Sequence, residues 1–307
     1  MRLGWLSIVA VLLWGRASSA ATDESPPLPD LPLVRESDED VSVFFAPGVE
    51  LRRPQLRWRW RRFQPDEYYL TGLSAAAVVG LNAAEPAKGR WRGGMLFDDA
   101  VRRSLALGSY PKRRRARDVS DVFLAATVSY PLLVDGLLSA YWYYDSPDVA
   151  EQLLLIGTEV FAVTIAGQSV VTTLAGRERP YGEHCGSGLE EDSRDCSRSS
   201  RHRSFFSGHA SASFAGASLI CIHRGYLPLS GGGVADGVTC GAGFALATAT
   251  AALRVVSDMH YASDVIIGAG WGTLVGLGLP WLLHYRHGNR SVHLVPQVGG
   301  LGIGGQF

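Results

Sequence analysis

Three ionisable side chains, Arg254, His260 and Asp264, occur within the stretch Arg-Val-Val-Ser-Asp-Met-His-Tyr-Ala-Ser-Asp, between the apolar segments 238–253 and 265–283. Burying such groups is costly without a partner or a task. His260 and Asp264 are four residues apart, which on a helix puts them on one face. The carboxylate is then expected to accept a proton from one imidazole nitrogen, fixing the tautomer and leaving the other nitrogen free as a nucleophile or base. A His–Asp pair alone more often just caps a helix start, so chemistry here requires further groups.

Two upstream stretches offer them. Ser207-Gly208-His209 opens a run of small residues, Ala210 to Ala217, with Ser207 suited to the N-cap. Exposed backbone N–H groups at such a helix start bind anions, and His209 stands beside them as a proton donor. The plain alternative is a simple N-cap. Arg177-Glu178-Arg179-Pro180 closes another apolar segment. Arg179 presents a planar, permanently charged fork suited to phosphate, although basic residues after a helix commonly just complement its dipole.

Arg179-Pro180, Ser207-Gly208-His209, and Arg254 followed by His260 and Asp264 together resemble the three-part signature of the type 2 phosphatidic acid phosphatase superfamily. That superfamily includes class A acid phosphatases, membrane lipid phosphatases and vanadium haloperoxidases. Order and spacing agree across roughly 66–285. The resemblance implies an all-α helical bundle with the site at one end and metal-independent hydrolysis of phosphate monoesters or lipid (pyro)phosphates without a cofactor. His260 would attack phosphorus and form a phosphohistidine, with Asp264 orienting it. His209 would protonate the leaving oxygen, while Arg179, Arg254 and the N–H groups around Ser207 and Gly208 hold the phosphoryl oxygens.

Two positions depart from the signature. A Lys expected seven residues before Arg179 is Thr172, and the Pro expected before Ser207 is Phe206. Arg177, Arg201 and Arg203 are the candidates to restore the lost charge. The departure keeps two other readings open: a degenerate module binding anionic lipid or an envelope partner, and a vanadium-dependent haloperoxidase. The chain is short for the latter.

Positioning these groups falls to six expected helices, at about 66–84, 118–143, 150–175, 208–225, 238–256 and 264–285. Antiparallel packing of the last four brings the motifs to one end. The expected organisation is a signal peptide at 1–20, an acidic Pro-rich leader and Arg/Trp arm at 21–65, the helical domain at 66–287, and a tail at 288–307 with a possible short hairpin. The arm from Leu51 to Phe63 interleaves arginines with Trp58 and Trp60. It suits an anionic membrane surface, or else packs its tryptophans on the bundle. With 29 basic and 29 acidic residues the chain carries no global nucleic-acid signature.

Val265 to Leu283 is an uncharged run long enough to span a membrane, whereas Asp135, Glu159 and Gln168 interrupt earlier segments. A cleaved signal conflicts with six subsequent spans in the family's orientation. The expectation is therefore a periplasmic or secreted bundle, possibly membrane-associated, with an integral six-span protein as the alternative. Four cysteines without Cys-x-x-Cys spacing favour disulfides over zinc, with 185–196 and 221–240 the expected pairs.

Overall fold

The computed structural model describes residues 55–88, 90–186, 193–287, 292–297 and 300–305. The expected signal peptide and most of the leader lie outside them. In chain order the helices are α1 (Pro65–Ala83), α2 (Asp98–Leu105), α3 (Tyr110–Ser129, continuing in π-helical geometry over Tyr130–Tyr143), α4 (Pro147–Ala175), the short α5 (Ser193–Ser197), α6 (Gly208–Tyr226), α7 (Val234–Val256) and α8 (Ala262–Leu283). Strands β1 (Val292–Gln297) and β2 (Gly300–Gly305) pair antiparallel, with Val292 opposite Gly305 and Gln297 opposite Gly300. The domain is an all-α bundle.

Local chemistry sets the helix ends. Proline opens α1 and α4, where a missing N–H costs nothing. Gly176 ends α4 at φ 56°, and a Cβ there would lie 1.6 Å from the Ala87 carbonyl oxygen. Only glycine satisfies both the left-handed backbone and that approach. Two expectations need correcting. α3 starts at Tyr110, eight residues before the expected 118, because Pro111 starts the helix and the basic run 112–115 forms its first turns. α2 was not expected: it is short, and its apolar content is too low to stand out in the sequence.

α6 is the central helix. Its small residues let α8 approach closely: a Cβ on Gly272 would lie 2.1 Å from the Ser211 carbonyl oxygen, and one on Gly276 would lie 2.6 Å from Ser218 Cβ. Ile156, Val160, Phe161, Ala215, Leu219 and Val275 form the main core between α4, α6 and α8.

The polar residues that interrupt the apolar segments turn inward. Asp135 pairs with Arg224 at 2.5 Å, and Arg224 also pairs with Asp236 at 2.6 Å. Glu159 is fully buried. Large apolar side chains are correspondingly exposed on the outside, among them Leu133, Leu138, Trp142, Ile266, Leu274 and Trp281. Among the described residues four helices, Tyr110–Tyr143, Pro147–Ala175, Val234–Val256 and Ala262–Leu283, are long and apolar enough to cross a membrane. Trp58 and Trp60 of the arm pack on Tyr285, Tyr226, Leu227 and Leu229 at the end where α6 and α8 finish. The aromatic side of the arm is thus spent on the bundle.

Candidate active site

The site lies where α4 and α7 finish and α6 and α8 begin. Arg177 organises it. The guanidinium is fully buried, bonds Asp264 Oδ1 at 2.5 Å and Asp98 Oδ2 at 2.8 Å, and donates to Ser263 Oγ and the Gly93 carbonyl. Trp91 and Tyr261 cover its two faces at 4.3 and 4.0 Å. Every direction of the fork is occupied. Arg177 is therefore an anchor, which removes it as a candidate to restore the missing charge.

Arg201 bonds Glu178 at 2.5 Å and the Gly182 carbonyl, and Arg203 bonds the carbonyls of Leu81 and Ala84, so both are committed to loop closure as well. At the Lys position, Thr172 is buried and accepts a bond from Gln168 Nε2 at 2.5 Å. The same amide reaches the Phe206 carbonyl at 3.1 Å.

His260 and Asp264 do not sit one turn apart on a helix. His260 precedes α8, whose N-cap is Tyr261. Its Nδ1 lies 2.8 Å from the Ser204 carbonyl oxygen and 3.9 Å from Asp264 Oδ2. A carbonyl only accepts, so Nδ1 carries the proton and Nε2 is left with its lone pair. Asp264 instead takes Arg177 on one oxygen, and Ser204 Oγ at 2.6 Å and the Tyr261 N–H at 3.0 Å on the other. It caps α8 and fixes Ser204, and Ser204 fixes His260. The tautomer expectation is met through a different acceptor.

Burial lowers the His260 pKa to about 4. The Asp264 carboxylate is the strongest opposing influence, and the charges of Arg179 and Arg254 add to the lowering. At neutral pH the ring is uncharged.

Ser207 is the N-cap of α6, its Oγ accepting from the Ala210 N–H at 3.3 Å and its own N–H reaching the Asp264 carbonyl at 3.0 Å. Gly208 follows against Gln168, which a Cβ would approach to 3.3 Å. His209 Nε2 lies 3.0 Å from Asp121 Oδ1 on α3, and the same oxygen is ion-paired with Arg254 Nη2. Arg179 makes no ion pair among the described residues: Nη1 lies 3.8 Å from Met259 Sδ, and Nε is buried with no hydrogen-bond partner. Desolvation lowers its pKa. A desolvated guanidinium without a partner gains from meeting an anion.

The fold thus brings Arg179, Ser207, Gly208, His209, Arg254, His260 and Asp264 to one end. Sequence reasoning missed Asp121, Asp98 and Ser204. Asp121 comes from a helix outside the motifs, and no local pattern marks it. Cys185 pairs with Cys196 at this end, and Cys221 pairs with Cys240 between α6 and α7.

Comparison with known proteins bears on the same segment. A curated relative, the PA-phosphatase related-family protein DDB_G0284367 of Dictyostelium discoideum, is 28% identical over 124 residues, covering 39% of this chain. The chain spans 44% of that relative's length. No solved structure matches. All seven of these residues lie within 153–288, the segment that matches the family model of the PAP2 superfamily.

Proposed function

We propose that this protein is a metal-independent phosphatase acting through a phosphohistidine. Its Nε2 lone pair exposed by the Ser204 tautomer lock, His260 attacks phosphorus. Arg179 and Arg254 take the charge on the phosphoryl oxygens, together with the N–H groups that start α6. The leaving oxygen takes its proton from His209, which then activates water to hydrolyse the P–N bond. The observation that carries this reading is a neutral histidine held in one tautomer near the guanidinium of Arg179, whose Nε is buried and which makes no ion pair among the described residues.

The substrate class is a lipid phosphate or pyrophosphate, and the bundle is membrane-embedded. Inward-facing carboxylates and an apolar exterior support this over the soluble periplasmic bundle expected from the sequence. With α1 and α6 completing six crossings, the site opens at one membrane surface, and the Cys185–Cys196 disulfide supports an oxidising compartment on that side. A signal cleaved after Ala20 would put it on the opposite side. Membrane insertion is therefore paired with residues 1–20 retained without crossing, and a soluble bundle with their removal. Resistance to alkaline carbonate extraction and the intact mass of the purified chain decide between the two.

The test of activity is phosphate release by the full chain in detergent, from an alkyl phosphate and a lipid phosphate, with EDTA present and His260→Ala as control. EDTA-resistant release lost in His260→Ala is expected. Release unaffected by that substitution would return the chain to the degenerate binding module that Thr172 suggests.

A further inference from the structure

The basic run at the start of α3 is not used by the reaction as described, and it lines a cavity of about 210 Å³ beside the site. The cavity wall includes Arg113, Arg114, Arg117 and Arg198 against the carboxylates of Asp118 and Asp195. Arg117 pairs with Asp195 at 2.8 Å, and Arg113 donates to the Leu107 carbonyl at 3.0 Å. Arg114 and Arg198 are exposed and make no ion pair among the described residues. Met259 also lines this cavity; it touches Arg179 and immediately precedes His260. The charge of Arg117 is felt at both Arg179 and Arg254.

Building on the phosphatase reading, we infer that this cavity is a second anion subsite, which receives the inner phosphate of a diphosphate ester while the terminal phosphate lies against His260. Four guanidiniums against two carboxylates leave an excess of positive charge, and guanidinium forks suit phosphate oxygens. In the reaction His260 Nε2 bonds the terminal phosphorus as the bond from that phosphorus to the bridging oxygen breaks. The leaving monophosphate ester takes the proton of His209 and stays in the arginine cavity until water releases orthophosphate from His260.

The experiment compares an alkyl diphosphate with the monophosphate of the same chain, using the full protein in detergent, for wild type and the double variant Arg114→Ala/Arg198→Ala. Two lost charge-assisted contacts are expected to cut kcat/KM for the diphosphate by ~10- to 100-fold and leave the monophosphate within about threefold. In parallel, binding of inorganic pyrophosphate and orthophosphate to His260→Ala is measured by calorimetry, with and without the two Arg substitutions. Selective weakening of pyrophosphate supports the subsite even where no hydrolysis is found, an outcome that overturns the phosphatase reading alone. Equal handling of the two substrates by wild type, or equal losses for both in the double variant, overturns the subsite.

Discussion

Arg177 and Asp264 form a wholly buried ion pair that joins the end of α4 to the start of α8. The pair holds Asp264, Asp264 holds Ser204 and the Tyr261 N–H, and Ser204 holds His260. The geometry of the proposed nucleophile therefore depends on a residue that the sequence offered only as a substitute for the missing cation.

Removing Arg177 leaves Asp98 and Asp264 buried and facing each other without a cation. Arg177→Ala is expected to cost roughly 3–5 kcal/mol, read as a large drop in thermal midpoint in detergent. Arg177→Lys keeps the charge but cannot cover both carboxylates and both aromatic faces, so it should recover only part of the loss. A wild-type midpoint for Arg177→Ala refutes the anchor role.

The lowered His260 pKa makes a pH prediction. Protonation destroys the attacking lone pair, and His260 protonates only as pH falls through about 4. Its contribution to kcat/KM should be flat from neutrality to about pH 5 and then fall about tenfold per unit. An acid limb centred near the ordinary imidazole value of about 6.5 contradicts the assignment.

Asp121 bridges His209 and Arg254 and acts as a positioning residue. Asp121→Asn should slow hydrolysis of an alkyl phosphate by ~10- to 100-fold, because the poor leaving group needs a well-aimed proton. An aryl phosphate such as 4-nitrophenyl phosphate, with a better leaving group, should lose far less. Equal losses on both would mean that Asp121 serves only to hold Arg254.

Close packing of α8 on α6 sets the spacing between His209, in the first turn of α6, and the His260 loop. Gly272→Val puts atoms where the Ser211 carbonyl stands and is expected to destabilise by about 1–3 kcal/mol while lowering kcat, since the helix starts must part. Retention of both stability and kcat contradicts this close approach.

The sequence by itself determined the six long helices and the three motifs with their order. It also supplied both cysteine pairs, because apolar length, cap chemistry and spacing are local properties. Ser207 read as an N-cap is one in the structure, and Thr172 stands where the cation was expected. Tertiary structure decided which groups meet across elements. Helical spacing suggested a direct His260–Asp264 bond, but the chain leaves the helix before His260, and the Ser204 carbonyl, 56 positions away, accepts the Nδ1–H hydrogen bond instead. Arg177, Arg201 and Arg203 look alike in sequence, and only burial and partner geometry show all three committed elsewhere. Asp121 reaches the site from α3, 88 positions from His209. A contact of that range is fixed by how helices pack against one another, which periodicity along a single helix does not encode.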